Sequence, residues 1–392
     1  MLLAAIVITA GLVIAGCGSS GSSSESTTAS SSESEAAGGA TESGGEEGAG
    51  ASAGVERAEE MVAKYSEPSG VPNGGPALKN VSSLKGKKIW FVPQSTQIPY
   101  FAAVVTGAKE AAKEAGLQIE VCNGDNTPST MSACIEQAIT GGGAGVVGDG
   151  ITVESVQQAV NALGEHDIPY VQADLTQEAG NDKIAYAWNN SFLQSELAAD
   201  KIIEDSQGKA NILVIRHTDS SATEAFMKEG GLATLEKNCS ECEITEVETN
   251  AVNLQQLPGL VSAALVKEPE IDYVFPEFDL DVESVMEALQ SLGKKLPIYS
   301  TTAQLSGLER IKANNYQAAD AGSDPAFMGW AAIDQLMRMM LGTEPNAEVP
   351  TPVRLFDESN IDEQELTNAA FVDGSWYGAQ GFQKMFLGLW GM

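Results

Sequence analysis

Runs of consecutive apolar residues alternate with amphipathic stretches along most of the chain, starting at Lys88. The apolar runs predict strands at 89–92, 117–121, 145–147, 168–172, 212–215, 244–247, 273–275 and 297–300. The amphipathic stretches predict helices at 100–115, 129–140, 153–163 and 326–341. Unbroken apolar runs are typical of parallel strands that are buried on both faces. The pattern therefore predicts an α/β protein with two doubly wound, Rossmann-like halves.

This topology also indicates where a ligand would bind. Right-handed crossovers place helices on both faces of each parallel sheet, which gives two lobes of ordinary domain size. A cleft between two lobes is a common ligand site, and ligands of open α/β sheets bind at the carboxyl ends of the strands. The residues that directly follow the predicted strands are therefore the first candidates for a binding site.

The N-terminus reads as an export signal. Residues 1–16 are apolar and end in Ile14-Ala15-Gly16, and Cys17 follows at once. Small residues before a cysteine form a lipobox, where a lipoprotein signal peptidase cuts and leaves an acylated cysteine. The apolar run is shorter than a membrane-spanning helix. We expect a signal peptide at 1–16 and lipidation of Cys17, which would anchor the protein at the outer face of the cytoplasmic membrane or in the periplasm.

The next segment has the composition of a linker. Residues 19–54 are nearly all Ser, Gly, Ala, Thr and Glu and include no aromatic residue. Such a segment cannot bury enough apolar surface to offset its conformational entropy. The sequence thus predicts a disordered, lipid-anchored stalk over 17–84, and a folded part that begins at Lys85.

The charge balance excludes one class of partner. The chain has 22 Lys and Arg against 54 Asp and Glu, a formal net charge of −32. Nucleic acid binding requires a basic surface to neutralise phosphates, so no nucleic acid partner is expected. The excess of acid indicates a heavily solvated surface.

Cysteine usage agrees with export. Besides Cys17 the chain has four cysteines, an even number, which predicts two disulfides in an oxidising compartment. They are Cys122, Cys134, Cys239 and Cys242. Their positions favour two local bridges, although the sequence leaves three pairings open. A zinc site at Cys239-Ser-Glu-Cys242 would need further ligands, and the chain has only two histidines, His166 and His217.

No catalytic or cofactor constellation emerges from the sequence. With two histidines in all, a Ser-His-Asp arrangement has few ways to form, and His166 and His217 are predicted to be surface or structural residues. The glycine run 141–145 follows a predicted helix and precedes a predicted strand, the reverse of a phosphate-binding loop. The protein is therefore not expected to be an enzyme or to bind a metal or cofactor.

Aromatic and acidic side chains gather at the predicted strand ends. They are Tyr100, Phe101, Asp149, Asp174, Trp188, Asn189, Asn190, Glu277, Phe278, Asp279, Asp320 and Asp324. A carboxylate accepts two hydroxyl hydrogen bonds, and an aromatic ring covers the apolar face of a sugar. The mixture favours a polyhydroxylated ligand. The alternative for each residue is an ordinary one, because such Asp residues also cap helices and aromatics also fill cores.

Several motifs occur in an order that resembles a known family. They are Val92-Pro93-Gln94-Ser95, Ile98-Pro99-Tyr100-Phe101, Gly107-Ala108, Ile168-Pro169-Tyr170-Val171 leading to Asp174, Asn189-Asn190, and Ser323-Asp324-Pro325 leading to Gly329. Together, over 85–360 and behind a lipobox, they resemble ribose- and galactose-type periplasmic binding proteins of sugar ABC transporters. The resemblance implies the type I periplasmic binding protein fold.

The family fold implies a division of the chain into two discontinuous lobes. Three crossings, which act as the hinge, would fall near Asn189, Ser323 and Pro350. The first lobe would then comprise 85–189 and 325–350. The second lobe would comprise 190–324 and 351–392. The resemblance also implies a monomer.

The resemblance implies a ligand-binding set as well, with Asp174 at the position of the family's sugar-binding aspartate. The full set is Ser95, Tyr100, Phe101, Asp174, Trp188, Asn189, Asn190, Lys228, Phe278, Asp279 and Thr302. Sugar-binding relatives have Arg at the position of Leu175, Asn at that of Phe278 and Asp at that of Thr302. With few bases near the cleft, an anion would be left unpaired, so we expect a neutral or cationic, sugar-like ligand.

These features favour a substrate-binding lipoprotein that captures a sugar or polyol and delivers it to the membrane permease of an ABC importer. One alternative is a sensor of the same fold that signals to a membrane kinase or chemoreceptor. A third hypothesis is a secreted glycosidase, which would need two carboxylates about 5–9 Å apart across a bound sugar.

Overall fold

The computed structural model describes residues 45–177, 184–250, 253–346 and 349–392, with side chains from residue 52 onward. The predicted signal peptide 1–16, the lipidated Cys17 and the first part of the predicted stalk lie outside these residues. All described residues belong to one compact unit. None of their helices is both long enough and apolar enough to span a bilayer.

The described strands form two sheets. The strands are β1 (Lys88–Pro93), β2 (Gln118–Val121), β3 (Val146–Asp149), β4 (Tyr170–Ala173), β5 (Ala185–Ala187), β6 (Asn211–His217), β7 (Glu243–Thr249), β8 (Tyr273–Pro276), β9 (Ile298–Thr301), β10 (Gln317–Ser323) and β11 (Val353–Asp357). The first sheet has the order β2-β1-β3-β4-β5 and is entirely parallel. The second has the order β11-β10-β9-β8-β6-β7, and only the edge strand β11 runs antiparallel. This topology confirms the predicted pair of doubly wound lobes.

Helices cover both sheets. They are α1 (Gly45–Ser66), α2 (Pro99–Ala115), α3 (Pro128–Thr140), α4 (Gln157–Glu165), α5 (Ser191–Ser206), α6 (Ser221–Ala225), α7 (Ala233–Asn238), α8 (Leu257–Lys267), α9 (Asp279–Ser291), α10 (Leu305–Lys312), α11 (Pro325–Met340), α12 (Asn368–Asp373) and α13 (Phe382–Trp390). A π-helical segment, Phe226–Leu232, joins α6 to α7. Proline in the first turn of α2, α3, α8 and α11 supplies a helical φ where no N–H partner is needed.

Burial along the strands explains why their apolar runs are continuous. The central strand β1 is buried from Ile89 to Pro93, and β3, β4 and β9 are buried throughout. The edge strands β2 and β7 instead alternate between buried or half-buried and exposed positions. Central strands of a doubly wound sheet have a helix layer on each face, whereas β2 and β7 are partly open to water; the other two edge strands, β5 and β11, are buried.

The predicted strands and helices are confirmed within a few residues at each end, but three strands were not predicted. These are β5, β10 and β11. The sequence of β10, Gln-Ala-Ala-Asp-Ala-Gly-Ser, contains no β-branched or aromatic residue, so its local propensity is low. It forms a strand because it pairs with β9 on one side and β11 on the other.

Three segments cross between the lobes, close to the predicted positions. They connect β5 to α5, β10 to α11, and α11 to β11. The Thr351 hydroxyl donates a hydrogen bond to the carbonyl of Trp188 at 2.8 Å, and the Asp324 amide donates to the carbonyl of Pro352 at 3.0 Å. The three crossing segments are thus hydrogen-bonded to one another along one side of the molecule.

Helices α2 and α11 pack closely at two glycines of the resemblance motifs. A Cβ atom added at Gly107 would lie 2.4 Å from the carbonyl oxygen of Ala326. One added at Gly329 would lie 2.4 Å from that of Val104. Only glycine permits this contact between the two backbones, so both positions are fixed by packing.

The structure corrects the predicted stalk. Residues 45–66 form helix α1, which packs on the second lobe through Ala58 and Val62, both buried. Farther along, Val81 and Leu84 are buried in the core of the first lobe. The prediction of disorder over 45–84 was wrong. It extended the Ser- and Gly-rich composition of the preceding residues to a segment that contains buried apolar residues. The folded part of the chain therefore begins before Lys85.

Between α1 and the first lobe, residues 67–78 form a strap that lies against the C-terminal part of the chain. The Ser69 amide donates to the carbonyl of Tyr377 at 2.9 Å, and the Leu78 amide donates to that of Leu389 at 2.7 Å. Arg354 of β11 donates from Nε to the carbonyl of Ser66 at 2.9 Å. The strap is a fourth segment that runs from one lobe to the other.

The C-terminal helix requires a second correction. The predicted second lobe included all of 351–392, but α13 packs on the first lobe. Its Trp390 ring stacks on Trp330 of α11 with centroids 5.3 Å apart, and the indole N–H donates to Asp334 at 2.8 Å. Phe386 belongs to the same core cluster. The predicted boundary was therefore wrong for α13. Strand β11 belongs to the second sheet, whereas α13 belongs to the core of the first lobe.

Both disulfides join cysteines that are close in sequence. Cys122 is bonded to Cys134, and Cys239 is bonded to Cys242. The two predicted local bridges are confirmed, and the cysteines are not part of a zinc site.

We predict that Arg57→Ala destabilises the docking of α1. The Arg57 guanidinium binds Glu196 and Asp200 of α5, and the Asp200 side chain is fully buried. Burial raises the pKa of Asp200 to about 7, against the lowering effect of Arg57. At pH 8 the variant would hold a buried carboxylate without its cation, so the free energy of unfolding should fall by about 1–3 kcal/mol.

The loss should be smaller at pH 5, where folded Asp200 is protonated in both proteins. Urea unfolding followed by circular dichroism at the two pH values measures it. Glu60→Ala, at an exposed position of the same helix, is the control and should change stability little. An equal loss at both pH values, or none, would contradict the prediction.

Candidate functional site

A cavity of about 450 Å³ lies between the two lobes, at the carboxyl ends of strands from both sheets. Its volume is within the usual range for small-molecule sites. The lining residues are Gln94, Ser95, Gln97, Ile98, Tyr100, Phe101, Asp125, Asn126, Gly150, Asp174, Leu175, Asn189, Ser191, Gln194, His217, Asp219, Thr223, Phe226, Leu254, Phe278, Leu280, Thr301, Thr302 and Gln304. We call this cavity the cleft.

The structure brings seven of the predicted site residues together in the cleft. These are Ser95, Tyr100, Phe101, Asp174, Asn189, Phe278 and Thr302. Phe278 and Thr302 follow strands β8 and β9 of the second lobe. The other five come from the first lobe or its crossing to the second. The position of the site and its two-lobe character therefore follow the sequence prediction.

Two buried aspartates, Asp149 and Asp174, lie side by side at the cleft end of the first sheet. Asp149, the last residue of β3, pairs in register with Ala173 of β4, so it lies at the same sheet edge as Asp174. The Asp174 carboxylate accepts a hydrogen bond from the Tyr100 hydroxyl at 2.8 Å. Asp149 is fully buried, and neither of its oxygens accepts a hydrogen bond from the described residues.

The two aspartates influence each other's pKa. Burial, and then the charge of Asp174, raise the pKa of Asp149 well above its usual range. Burial also raises the pKa of Asp174, while hydrogen bonds from Asp149, Tyr100 and Asn189 oppose that rise. Burial thus raises the pKa of both carboxyl groups, and the titration of each depends on the other.

The second lobe contributes a charged histidine, His217, at the end of β6. Its Nδ1 lies 2.8 Å from Asp219 Oδ2, and its Nε2 lies 3.0 Å from Asp281 Oδ2. Burial lowers the pKa of His217, but the hydrogen bonds to Asp219 and Asp281 outweigh it and raise the pKa to about 10. The ring is therefore an imidazolium whose two N–H groups are both used. The sequence predicted a surface or structural residue, whereas His217 is buried and lines the cleft.

A third carboxyl group, that of Glu277, binds the backbone of His217. Glu277, at the end of β8, accepts a hydrogen bond from the His217 backbone amide at 2.7 Å. Burial raises its pKa to about 8, so it is largely protonated at neutral pH. Glu277 does not line the cleft, and its role here is to hold the end of β6 in place.

Aromatic side chains form the apolar walls. Phe101 packs edge-on against Tyr100 with ring centroids 5.7 Å apart. Phe278 lies across the cleft with its ring centroid 5.1 Å from that of His217. Phe226, on the π-helical segment, adds a third ring. The cleft therefore combines apolar ring faces with carboxylates and side-chain amides.

Four predicted site residues do not line the cleft. Trp188 packs edge-on against Phe192, and Asn190 occupies the left-handed position before α5. Asp279 is used inside the second lobe, where it accepts hydrogen bonds from Ser300 Oγ at 2.8 Å and from the Gln304 amide at 2.7 Å. Lys228 forms an ion pair with Glu224 at the surface. The side chains of Trp188, Asp279 and Lys228 therefore make their contacts outside the cleft.

Several lining residues were missed, notably Asp125 and Asn126 in the loop after β2. Both have positive φ, 52° and 55°, and Gln94 donates to Asn126 Oδ1 at 2.7 Å. The Cys122–Cys134 bridge spans this loop. The Gly-Asp-Asn sequence directly after a predicted strand was the signal that could have identified it.

The sequence profile described as a periplasmic binding protein domain matches residues 89–344. Solved structures with similar folds cover most of the chain. A glucose-galactose binding protein from Geobacillus stearothermophilus has a TM-score of 0.64 at 19% identity, covering 70% of this chain and 99% of its own. A 5-methylthioribose transporter solute binding protein from Thermotoga lettingae has a TM-score of 0.64 at 17% identity, covering 76% and 98%.

A third similar structure is an ABC transporter periplasmic solute binding protein from Actinobacillus succinogenes with bound D-allose. Its TM-score is 0.63 at 16% identity, and the match covers 71% of this chain and all of that one. At these identities the three structures show a shared fold.

We predict that Asp149→Asn flattens the pH dependence of stability. A carboxyl group whose pKa is raised by folding contributes stability at low pH, and this is lost as pH rises above its unfolded pKa of about 3.9. Asparagine can still donate to Asp174 but does not titrate. Between pH 5 and pH 8 the melting temperature of the variant should therefore decrease less than that of the native protein.

Thermal unfolding at several pH values tests this prediction. Glu165→Gln, which removes an exposed carboxylate in the same lobe, is the matched control. Parallel melting curves for Asp149→Asn and the native protein across this pH range would show that Asp149 does not titrate as inferred.

Proposed function

The chain belongs to the periplasmic binding protein family, and from this membership we propose that it captures a sugar-like solute for an ABC importer. The solute would bind in the cleft and be delivered to a membrane permease. The observation that carries the proposal is the cleft itself, which joins strand ends of both lobes and combines carboxylates with aromatic rings.

The lining suits a polyhydroxylated ring. Asp174 can accept hydroxyl hydrogen bonds, and the amides of Asn189, Gln194 and Gln304 can both donate and accept them. Phe101 and Phe278 offer apolar faces for the C–H groups of the ring. Such sites combine apolar walls for affinity with a few polar groups for orientation.

The similar structures support this class of ligand. Their descriptions name glucose and galactose, 5-methylthioribose and D-allose. The family consists of substrate-binding proteins, which supports a binding role without chemical turnover.

Capture would involve closure of the two lobes. Ligand contacts come from both lobes, so a bound solute would stabilise the conformation in which the strand ends face each other. The three hydrogen-bonded crossings would be the hinge.

We further propose that the protein is exported and lipid-anchored through Cys17, as the lipobox indicates. The family is extracytoplasmic, and two disulfides agree with an oxidising compartment. Acylation would keep the binding protein near its permease.

A thermal-shift panel on the purified full chain tests the proposal. D-galactose, D-glucose, D-ribose, D-allose and allitol serve as probes, because binding to the native state alone raises the melting temperature. We predict a saturable shift with at least one of them and no turnover. Absence of any shift across the panel would refute a sugar or polyol as the solute.

For a probe that binds, Asp174→Asn should weaken affinity by about 1.5–3 kcal/mol, roughly 10- to 150-fold, through loss of a charge-assisted hydrogen bond. Lys228→Ala is the matched control, because Lys228 lies outside the cleft, and it should leave affinity unchanged. Isothermal titration calorimetry measures both. Equal affinity in Asp174→Asn and the native protein would remove Asp174 from the site.

A further inference from the structure

The charges that line the cleft are strongly unbalanced. Asp125, Asp174 and Asp219 contribute carboxylates to its wall. In the part of the wall that the structure describes, His217 is the only basic side chain, and neither lysine nor arginine is present. A ligand that enters this cleft therefore meets a negative potential.

The positive charge of His217 is already matched. Its two ring nitrogens bind Asp219 and Asp281, so no N–H remains for a ligand. Arg216, the preceding residue, points away and binds Glu246 at 3.1 Å and Glu248 at 2.5 Å. The cations nearest the cleft thus do not offset its acidic wall.

The Asp149–Asp174 pair differs from three other buried carboxylates of the chain. Asp200 binds Arg57, Asp334 lies 2.7 Å from Arg338, and Asp279 lies 3.8 Å from Arg310. The pair forms no such ion pair with the described residues, and both side chains are buried. Its open side faces the cleft, because Asp174 lines it. A buried carboxylate without a cation is costly, and a cationic ligand would remove that cost.

The aromatic walls are compatible with the same ligand. An ammonium group within about 6 Å of a ring face is attracted by the electrons of the ring. Phe101 lies next to Tyr100, the hydrogen-bond donor to Asp174, so a ring and the acidic pair lie on the same wall.

Building on the proposed function, we propose that the solute is an amine-bearing sugar or polyol whose protonated amine binds against Asp174. The amine supplies the positive charge that the first lobe lacks, and its hydroxyl groups bind the amides of Gln94, Asn189, Gln194 and Gln304. The arrangement selects against a carboxylated or phosphorylated sugar, since the described wall offers it no free cation.

Two matched series of monosaccharides test the inference. The first is D-glucosamine, D-glucose and D-glucuronate, and the second is D-galactosamine, D-galactose and D-galacturonate. Within each series the ring is kept; the amine has an ammonium group in place of the C2 hydroxyl, and the acid has a carboxylate in place of the C6 hydroxymethyl group. Calorimetric titration of the full chain at pH 7 and low salt should show the amine binding about 10-fold or more tightly than the neutral sugar, and the acid most weakly.

The salt dependence and one variant separate charge recognition from shape. Raising the salt concentration should weaken binding of the amine more than that of the neutral sugar. Asp174→Asn should abolish the preference for the amine, whereas Asp362→Asn, at an exposed surface position, should preserve it.

The outcomes distinguish this inference from the proposed function. Neutral sugars that bind as tightly as the amines would overturn the inference and leave the proposed function intact. Binding by no member of either series would overturn the inference, and the thermal-shift panel with ribose, allose and allitol would then decide the proposed function separately. An amine preference that persists in Asp174→Asn would also overturn the inference, because it would place the ammonium elsewhere.

Discussion

The structure depends on the close contact between the backbones of α2 and α11. The two helices meet at Gly107 and Gly329, where any side chain would collide with a carbonyl of the other helix. This contact seats α11 on the first lobe although the preceding strand, β10, belongs to the second sheet. The connection at Asp324 must therefore cross between the lobes. The same contact positions the first turn of α2, which carries Tyr100 to the floor of the cleft.

Parallel topology accounts for the chemistry of the site. Pro93, Asp149 and Ala173 align across neighbouring strands, so the side chains that follow them converge at one edge. The convergence buries two carboxyl groups side by side, and this burial raises the pKa of both. Functional sites commonly retain such unfavourable local arrangements when the rest of the sequence favours the fold. In this protein the large aromatic and aliphatic cores of the two lobes stabilise the fold.

The sequence predicted elements well where local pattern and tertiary packing agree. Buried central strands such as β1 and β6 have unbroken apolar runs, and they were found from those runs alone. Strand β10 and helix α1 were missed because their stability comes from neighbours rather than from their own composition.

The carboxyl ends of the predicted strands indicated where the cleft lies, but the sequence did not indicate the direction of each side chain. Asp174 faces the cavity, whereas Asp279 turns into the second lobe to meet Ser300 and Gln304. That choice depends on partners more than twenty residues away, which no local pattern contains. The partners of His217 are of both kinds, since Asp219 is two residues away and Asp281 lies on a different element.

The Cys122–Cys134 bridge links binding to the chemistry of the surroundings. It closes the loop that presents Asp125 and Asn126 to the cleft, and Asn123 in that loop accepts a hydrogen bond from the Thr96 amide at 2.8 Å. In a reduced chain this loop would lose a covalent constraint and would have to be ordered when a solute binds. The entropy cost of that ordering lowers affinity. Affinity measured with a reductant should accordingly fall below that measured without one. The covalent bond thus holds this part of the cleft wall in place before a solute arrives.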